Sequence, residues 1–183
     1  MKFLLLLIIP IVLIFWAISL YNRMVRKRAM AEEGWAGIDV QLKKRYNLIP
    51  NLLETVKGYA KHEKETLSQV IEARNQAQNA STVKGQEAAE TQLNGALANV
   101  FALGEAYPDL KANQSFVNLQ NQLSSIEGDI EKARRYYNAT VRELNIMVES
   151  FPSSMLAGPF GFELQEYFEL HDDAQRANPE VKF

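Results

Sequence analysis

The chain has no cysteine, which excludes disulfides, thiolate metal centres, iron–sulfur clusters and cysteine nucleophiles. It has only two histidines, His62 and His171, so few metal or general-base schemes are open to it. A basic surplus is also missing. With 20 Lys+Arg against 22 Asp+Glu the formal net charge is -2, whereas a nucleic-acid binder usually needs positive excess. Glycine and proline are scarce, at 9 and 6 in 183 residues, and they occur in clusters. That scarcity favours long uninterrupted helices over many-turned β structure. The length suits one domain of ordinary size plus an anchor or tail.

Catalytic signatures are missing as well. There is no Gly-x-Ser-x-Gly elbow, no phosphate-binding P-loop and no Gly-x-Gly-x-x-Gly run. His62-Glu63 begins a zincin motif, but Thr66 stands where the second histidine is required. Lys61, Lys64 and Glu65 around it describe a solvated helical face instead. His171-Asp172-Asp173 offers three ligand types in a row, yet adjacent residues seldom converge on one ion without a fixed backbone. No catalytic, cofactor-binding or metal-binding residue is therefore assigned, and a metal-dependent hydrolase is the weakest reading. It would require His171, Asp172 and Asp173 to meet carboxylates of the body in a cleft.

What is present begins with an apolar run. Phe3 to Leu20 carries no charge and one hydroxyl, Ser19. As a helix it spans roughly 27 Å, enough for a hydrocarbon core. Trp16 and Tyr21 suit the headgroup belt, and Pro10 is tolerated in a membrane helix. A secretory signal peptide would share these features. Ala17-Ile18-Ser19 would serve as its cleavage site, but bulky Leu20 and Tyr21 follow, and an uncleaved anchor over residues 1–22 is expected. Arg23, Arg26, Lys27 and Arg28 form a basic collar after the run, against Lys2 before it. By the positive-inside rule the N-terminus then lies outside and the body is cytoplasmic, with the collar near anionic membrane lipid.

The body, residues 23–151, reads as three long helices in an antiparallel bundle. The first follows the stripe Trp35, Ile38, Leu42, Arg45, Ile49, Leu52 and Val56, then Ala60, Glu63, Leu67, Val70, Arg74 and Ala77. Two consecutive steps of four, together with Pro50 and Gly58, predict a bend or break within residues 47–58. Asn47, Leu48, Ile49, Pro50 and Asn51 form the expected joint, with Asn47 capping a restarted helix. Carbonyls freed there must find other donors, and the joint reads either as a simple bend or as a docking crease. The stems of Arg45, Glu63 and Arg74 are expected to cover apolar surface while their heads reach water; a buried ion pair is the alternative.

The second helix carries the row Ala89, Leu93, Ala96, Val100, Leu103 and Tyr107. In the third, Phe116, Leu119, Leu123, Ile126, Ile130, Ala133, Tyr137, Thr140, Leu144, Met147 and Phe151 repeat three-four without a slip. That row predicts roughly 54 Å of helix, ended by Pro152. Residues 152–183 are irregular and rich in Gly and Phe, and they pack on the bundle or on a neighbouring subunit. Gly158, Phe160, Gly161 and Phe162 are the expected self-association residues, since glycines allow close approach and aromatics anchor interfaces.

Several separated blocks share one resemblance. Arg45-Tyr46-Asn47-Leu48-Ile49-Pro50-Asn51-Leu52 runs into Thr55-Val56-Lys57-Gly58-Tyr59-Ala60, and Tyr107-Pro108-Asp109-Leu110, Tyr136-Tyr137-Asn138, Phe151-Pro152-Ser153 and Phe160-Gly161-Phe162 follow. In these blocks the chain resembles the LemA family of bacterial membrane-anchored helical proteins. Where that family often has Asp, this chain has Asn47, which leaves a capping role intact. The resemblance implies an all-α domain on a single-pass anchor with no established enzymatic activity. It also implies a genomic association with membrane proteases of the HtpX type. The leading expectation is a non-catalytic, homo-oligomeric scaffold at the bacterial inner membrane, and the alternative is an adaptor for a membrane protease.

Overall fold

The computed structural model of the chain describes residues 2–168, with side chains described from Ile8 onward. There is no β-strand among the described residues. Those residues form six helices in order: α1 (Lys2–Lys57), α2 (Lys64–Asn79), α3 (Val83–Ala106), α4 (Pro108–Lys111), α5 (Gln114–Glu149) and α6 (Ser154–Ala157). The architecture is the expected all-α antiparallel bundle of long helices behind a long apolar N-terminal helix.

α1 and α5 form the tightest pair. Lys27 meets Glu143, Gly34 lies against Tyr137, and Arg45 pairs with Glu127, so the two helices run antiparallel in one steady register. Gly34 makes that approach possible: a Cβ there would lie 3.1 Å from the Tyr137 Cα. α2 folds back on α1, bringing Arg74 to Tyr46, and α3 returns along α2, where the Tyr107 hydroxyl donates to Glu63 at 3.0 Å. Ile38, Leu52, Val70, Val100 and Ile130 are among the fully buried residues between these four helices. The rows Ala89–Val100 and Phe116–Leu144 face inward as their spacing predicts, since three-four steps keep one face of a helix on its neighbours.

Three local expectations fail. Asn47 caps nothing, because α1 continues through Pro50 to Lys57. Pro50 lacks the N–H that would bond the carbonyl four residues back, that of Tyr46. Arg74 Nε donates to that carbonyl instead at 2.9 Å, and the exposed proline ring faces outward. The break comes at the end of the 47–58 window, after Lys57 and at Gly58, where Tyr59 and Ala60 both donate to the Val56 carbonyl and the chain reverses. The first long helix is therefore two, α1 and α2, and the body holds four long helices instead of three. Finally, Phe151 leaves the α5 row: the helix ends at Glu149 and the ring is 81 % exposed.

Gly161, at φ 68°, turns the chain out of α6, and residues 162–168 run extended back along the bundle. The boundary proposed after residue 22 falls inside α1, so the apolar run and the first bundle helix are one element.

The Pro50–Arg74 complementarity predicts a measurable coupling. Arg74→Met should destabilise the protein by about 1–2 kcal/mol, since a charged donor to a half-buried carbonyl is lost. In a Pro50→Ala background the restored N–H supplies that carbonyl, and the same change should have about half the effect. A double-mutant cycle by denaturant unfolding, followed by circular dichroism, measures the difference.

Candidate functional site

Two polar constellations interrupt the apolar body. The first is centred on Arg45 and Tyr46, consecutive residues of α1. Arg45 Nη1 pairs with Glu90 Oε2 at 3.0 Å and with Glu127 Oε2 at 2.9 Å, and its other terminal nitrogen donates to Asn94. Glu90 is 1 % exposed. Its second oxygen accepts from the Tyr46 hydroxyl and from Gln86 Nε2, the latter at 3.1 Å. Gln86 also donates to the Ala77 carbonyl of α2 at 3.2 Å. With Arg74 on the Tyr46 carbonyl, one cluster thus reaches all four long helices. A buried carboxylate with three donors and a buried guanidinium with three acceptors meet the condition under which paired charges tolerate an interior. The open choice at Arg45 is resolved in favour of the buried ion pair; Glu63 and Arg74 make hydrogen bonds of their own.

Burial, followed by the Glu90 hydrogen bond and charge, holds the Tyr46 phenol well above its usual range. Burial and then Glu166 raise Tyr137, while the Glu63 hydrogen bond is the main cause of the rise at Tyr107. Arg134, 8 % exposed, has its pKa lowered by desolvation, and its Cζ lies 4.3 Å over the ring of Phe168.

The second constellation grips the tail. Asn145 donates to the Gln165 carbonyl and accepts from the Gln165 N–H, both at 2.9 Å. Asn138 repeats the pattern on Phe168, at 2.7 and 2.8 Å. The Tyr137 hydroxyl donates to the Glu166 carbonyl at 2.9 Å. The spacing has a simple origin. Seven residues of helix rise about 10.5 Å, and three residues of extended chain cover about 10 Å. Two asparagines two turns apart therefore match main-chain groups three residues apart. Phe168, 1 % exposed, then fills the space beside Trp35, with ring centroids 6.4 Å apart.

The predicted site residues are dispersed. Trp16 is exposed on the apolar stretch of α1, and Tyr21 is half-buried. Arg23 and Arg26 point outward, Lys27 reaches Glu143, and Arg28 lies 5.0 Å over the Phe162 ring. The side chain of Phe3 lies outside the described residues, as do His171, Asp172 and Asp173. Asn47, Pro50 and Asn51 are exposed, Leu48 is half-buried, and Ile49 is in the core. Phe162 is buried on its own chain with Met24 and Ala157, while Gly158, Phe160 and Gly161 stay exposed. The joint thus sits beside the Arg45–Tyr46 cluster, and the tail residues sit by the collar. Among the described residues no three His, Asp or Glu side chains converge as a metal would require. Two shallow depressions adjoin these constellations. One of about 400 Å³ between α3 and α5 has Arg45 and Glu127 in its lining, and one of about 420 Å³ is bordered by Trp35, Thr82, Tyr137 and Leu164.

A family profile described as the LemA family matches residues 34–183. The chain belongs to the LemA family. It is 25 % identical over 140 residues to Protein LemA of Metamycoplasma hominis, covering 74 % of this chain and 63 % of that one. It is also 22 % identical over 174 residues to the Magnetosome protein MamQ of Magnetospirillum gryphiswaldense, covering 81 % and 64 %. Magnetosome protein MamQ 2 of Paramagnetospirillum magneticum is 31 % identical over 74 residues, covering 40 % and 27 %. The chain thus spans a little under two thirds of the length of the first two relatives. None of these names denotes an enzyme. For this family member, the Arg45–Leu52 block has a structural explanation: Arg45 holds α3 and α5, the Tyr46 hydroxyl holds α3 and the Tyr46 carbonyl holds α2.

Sequence reasoning missed Gln86, Glu90, Arg134 and Asn145. A signal for the first two exists: Gln86, Glu90, Leu93, Leu97, Val100 and Gly104 form a second three-four row beside the alanine one. Arg134 lies in a similar row with Ile130, Tyr137, Val141 and Leu144.

The asparagine grip predicts slow exchange of the Gln165 and Phe168 amides. Asn145→Ala should speed exchange at Gln165 by about 10-fold or more, the equivalent of one hydrogen bond, with little change at Val70 in the core. Hydrogen–deuterium exchange resolved by residue measures both. The raised tyrosines predict an alkaline limit. Unfolded tyrosines lose protons from about pH 10, whereas the folded chain keeps Tyr46 and Tyr137 protonated. Stability should therefore be full below about pH 10 and fall above it. Denaturant midpoints between pH 8 and 11.5 measure the slope, which Tyr46→Phe should reduce.

Proposed function

We propose that this protein is a non-catalytic, single-pass protein of the bacterial cytoplasmic membrane whose body self-associates as a scaffold. The observation that carries the reading is α1 itself. From Ile8 to Ile18 its large apolar side chains are exposed on every face, Phe15 to 69 %, and nothing among the described residues covers them. Within two turns the same unbroken helix buries Met24, then Ala31 and Ile38, in the body. A helix apolar all round belongs in an apolar medium, and its mean hydropathy of 1.8 over an 18-residue window is that of a membrane span. The collar favours an outside N-terminus and a cytoplasmic body.

Such a mounting fixes the body's attitude to the membrane. Copies confined to one plane meet at high effective concentration, so weak lateral contacts are enough to build an assembly. We assign those contacts to the helical body, because Phe162 is already used by its own chain and Phe160 adjoins the anchor. The non-catalytic reading draws on polar residues that are spent holding helices together and on relatives not named as enzymes.

One observation favours the second reading, an adaptor for a membrane protease such as the HtpX type. Asn138 and Asn145 hold an extended segment by its backbone alone, which is how a substrate peptide could also be held. The mass of the full-length protein in detergent and in lipid nanodiscs, by native mass spectrometry, separates the two. A discrete multimer is the expected result. A monomer at all concentrations would remove the scaffold and leave the adaptor.

A further inference from the structure

We infer that the turn between α5 and the tail is a second membrane contact: Phe151, Met155 and Phe160 dip into the headgroup–acyl boundary of the bilayer that α1 crosses. The inference rests on the reading of α1 as a membrane span and adds a surface of the body to it.

Three observations converge. The first is level. Lys27 faces Glu143, Gly34 faces Tyr137 and Arg45 faces Glu127, so each step forward on α5 is a step back on α1. Continued to the end of α5, that register brings Glu149 to the height of Tyr21, one residue past the uncharged run, and the turn with Phe151 begins there. The turn is fastened there by Phe162 and Ala157 packing on Met24, and by the Phe160 ring 5.0 Å from the Tyr21 ring. The second is exposure. Phe151 is 81 % exposed, Met155 66 % and Phe160 54 %, whereas Phe101, Phe116 and Phe168 and the methionines Met24, Met30 and Met147 are half-buried or buried. The third is charge. From Ser150 to Phe162 there is no ionisable side chain, while Glu149 and Glu163 bracket the segment. An aqueous loop of that length normally carries charge, whereas a segment seated in lipid does not.

The occupant follows from continuity. These side chains lie beside the point where α1 leaves the apolar run, and exposed Arg23 and Arg26 follow within the next two turns of α1. Exposed arginines next to apolar, partly aromatic side chains are the chemistry of an interfacial contact with anionic phospholipid, at a depth of about 5–10 Å, with Glu149 and Glu163 left at the aqueous ends of the segment. A second copy of the chain would have to reach the patch through the same headgroup layer. Two contacts, the span and the turn, would stop the body from rotating about α1.

The absence of cysteine makes the test direct. Met155→Cys, Ile11→Cys and Ser68→Cys full-length proteins are labelled with an environment-sensitive fluorophore and reconstituted into phosphatidylcholine–phosphatidylglycerol vesicles. Nitroxide lipids carry the quencher at a shallow or a deep acyl position, and circular dichroism checks each fold. The expected result is blue-shifted emission at position 155, quenched about two-fold or more and better by the shallow nitroxide. Position 11 should be quenched best by the deep one, and position 68 by neither. Quenching at 11 without quenching at 155 overturns the second contact and leaves the span intact. A blue-shifted but unquenched label at 155 also overturns it, because a protein neighbour would then cover the patch. No quenching at 11 removes the span and the contact together.

Discussion

Arg45 and Tyr46 hold the body together at one level. Their side chains and one main-chain carbonyl reach α2, α3 and α5 from α1, and Glu90 gathers three of the donors involved. Buried ion pairs add little net stability, because desolvation offsets most of their attraction. Their value here is discrimination. Apolar rows with three-four spacing can slide by a turn and still pack, whereas a guanidinium buried opposite the wrong residue would be left unpaired. The cluster therefore sets which turn of each helix meets which turn of the next, and the packing of the apolar residues follows. Pro50 belongs to the same device. By withholding its N–H it frees the Tyr46 carbonyl, and α2 must supply Arg74 to complete it.

The sequence was most readable where one residue class repeats along one helix. The apolar run of α1 and the α5 row from Phe116 to Leu144 needed no information from elsewhere in the chain. The failures share a cause. Pro50 looked like a break because the compensating donor, Arg74, lies in another helix. Glu90 drew no notice because Arg45 and Tyr46, which it pairs with, are more than 40 residues away. Asn145 carried no local sign of its role, since the groups it holds belong to a tail without periodicity. Counting only apolar residues hid the second row on α3, where Gln86 and Glu90 continue a line begun by Leu97 and Leu93. Long-range polar pairs are invisible to local patterns, and in this protein they decide the register.

The tail shows the same division. Its aromatic content pointed to burial or an interface, and the rings divide: Phe162 and Phe168 close onto the bundle, while Phe151 and Phe160 face outward. What separates them is the local path, set by Gly161 and by the two asparagines of α5. Because those asparagines read only main-chain groups, Gln165 and Glu166 remain exposed and their identities are free of the grip.

The continuity of α1 makes it a lever. Lys57 stands roughly 55 Å beyond Tyr21 along a single helix. On the reading that its first turns lie in lipid, any change in tilt imposed there is carried outward undiminished, because no hinge intervenes. A reorientation of about 10° would swing the far end by roughly 10 Å, and bilayer thickness is one of the variables that set helix tilt. A body built in this way would convert small differences between membranes into large differences in where its outermost turn, around Gly58, is held.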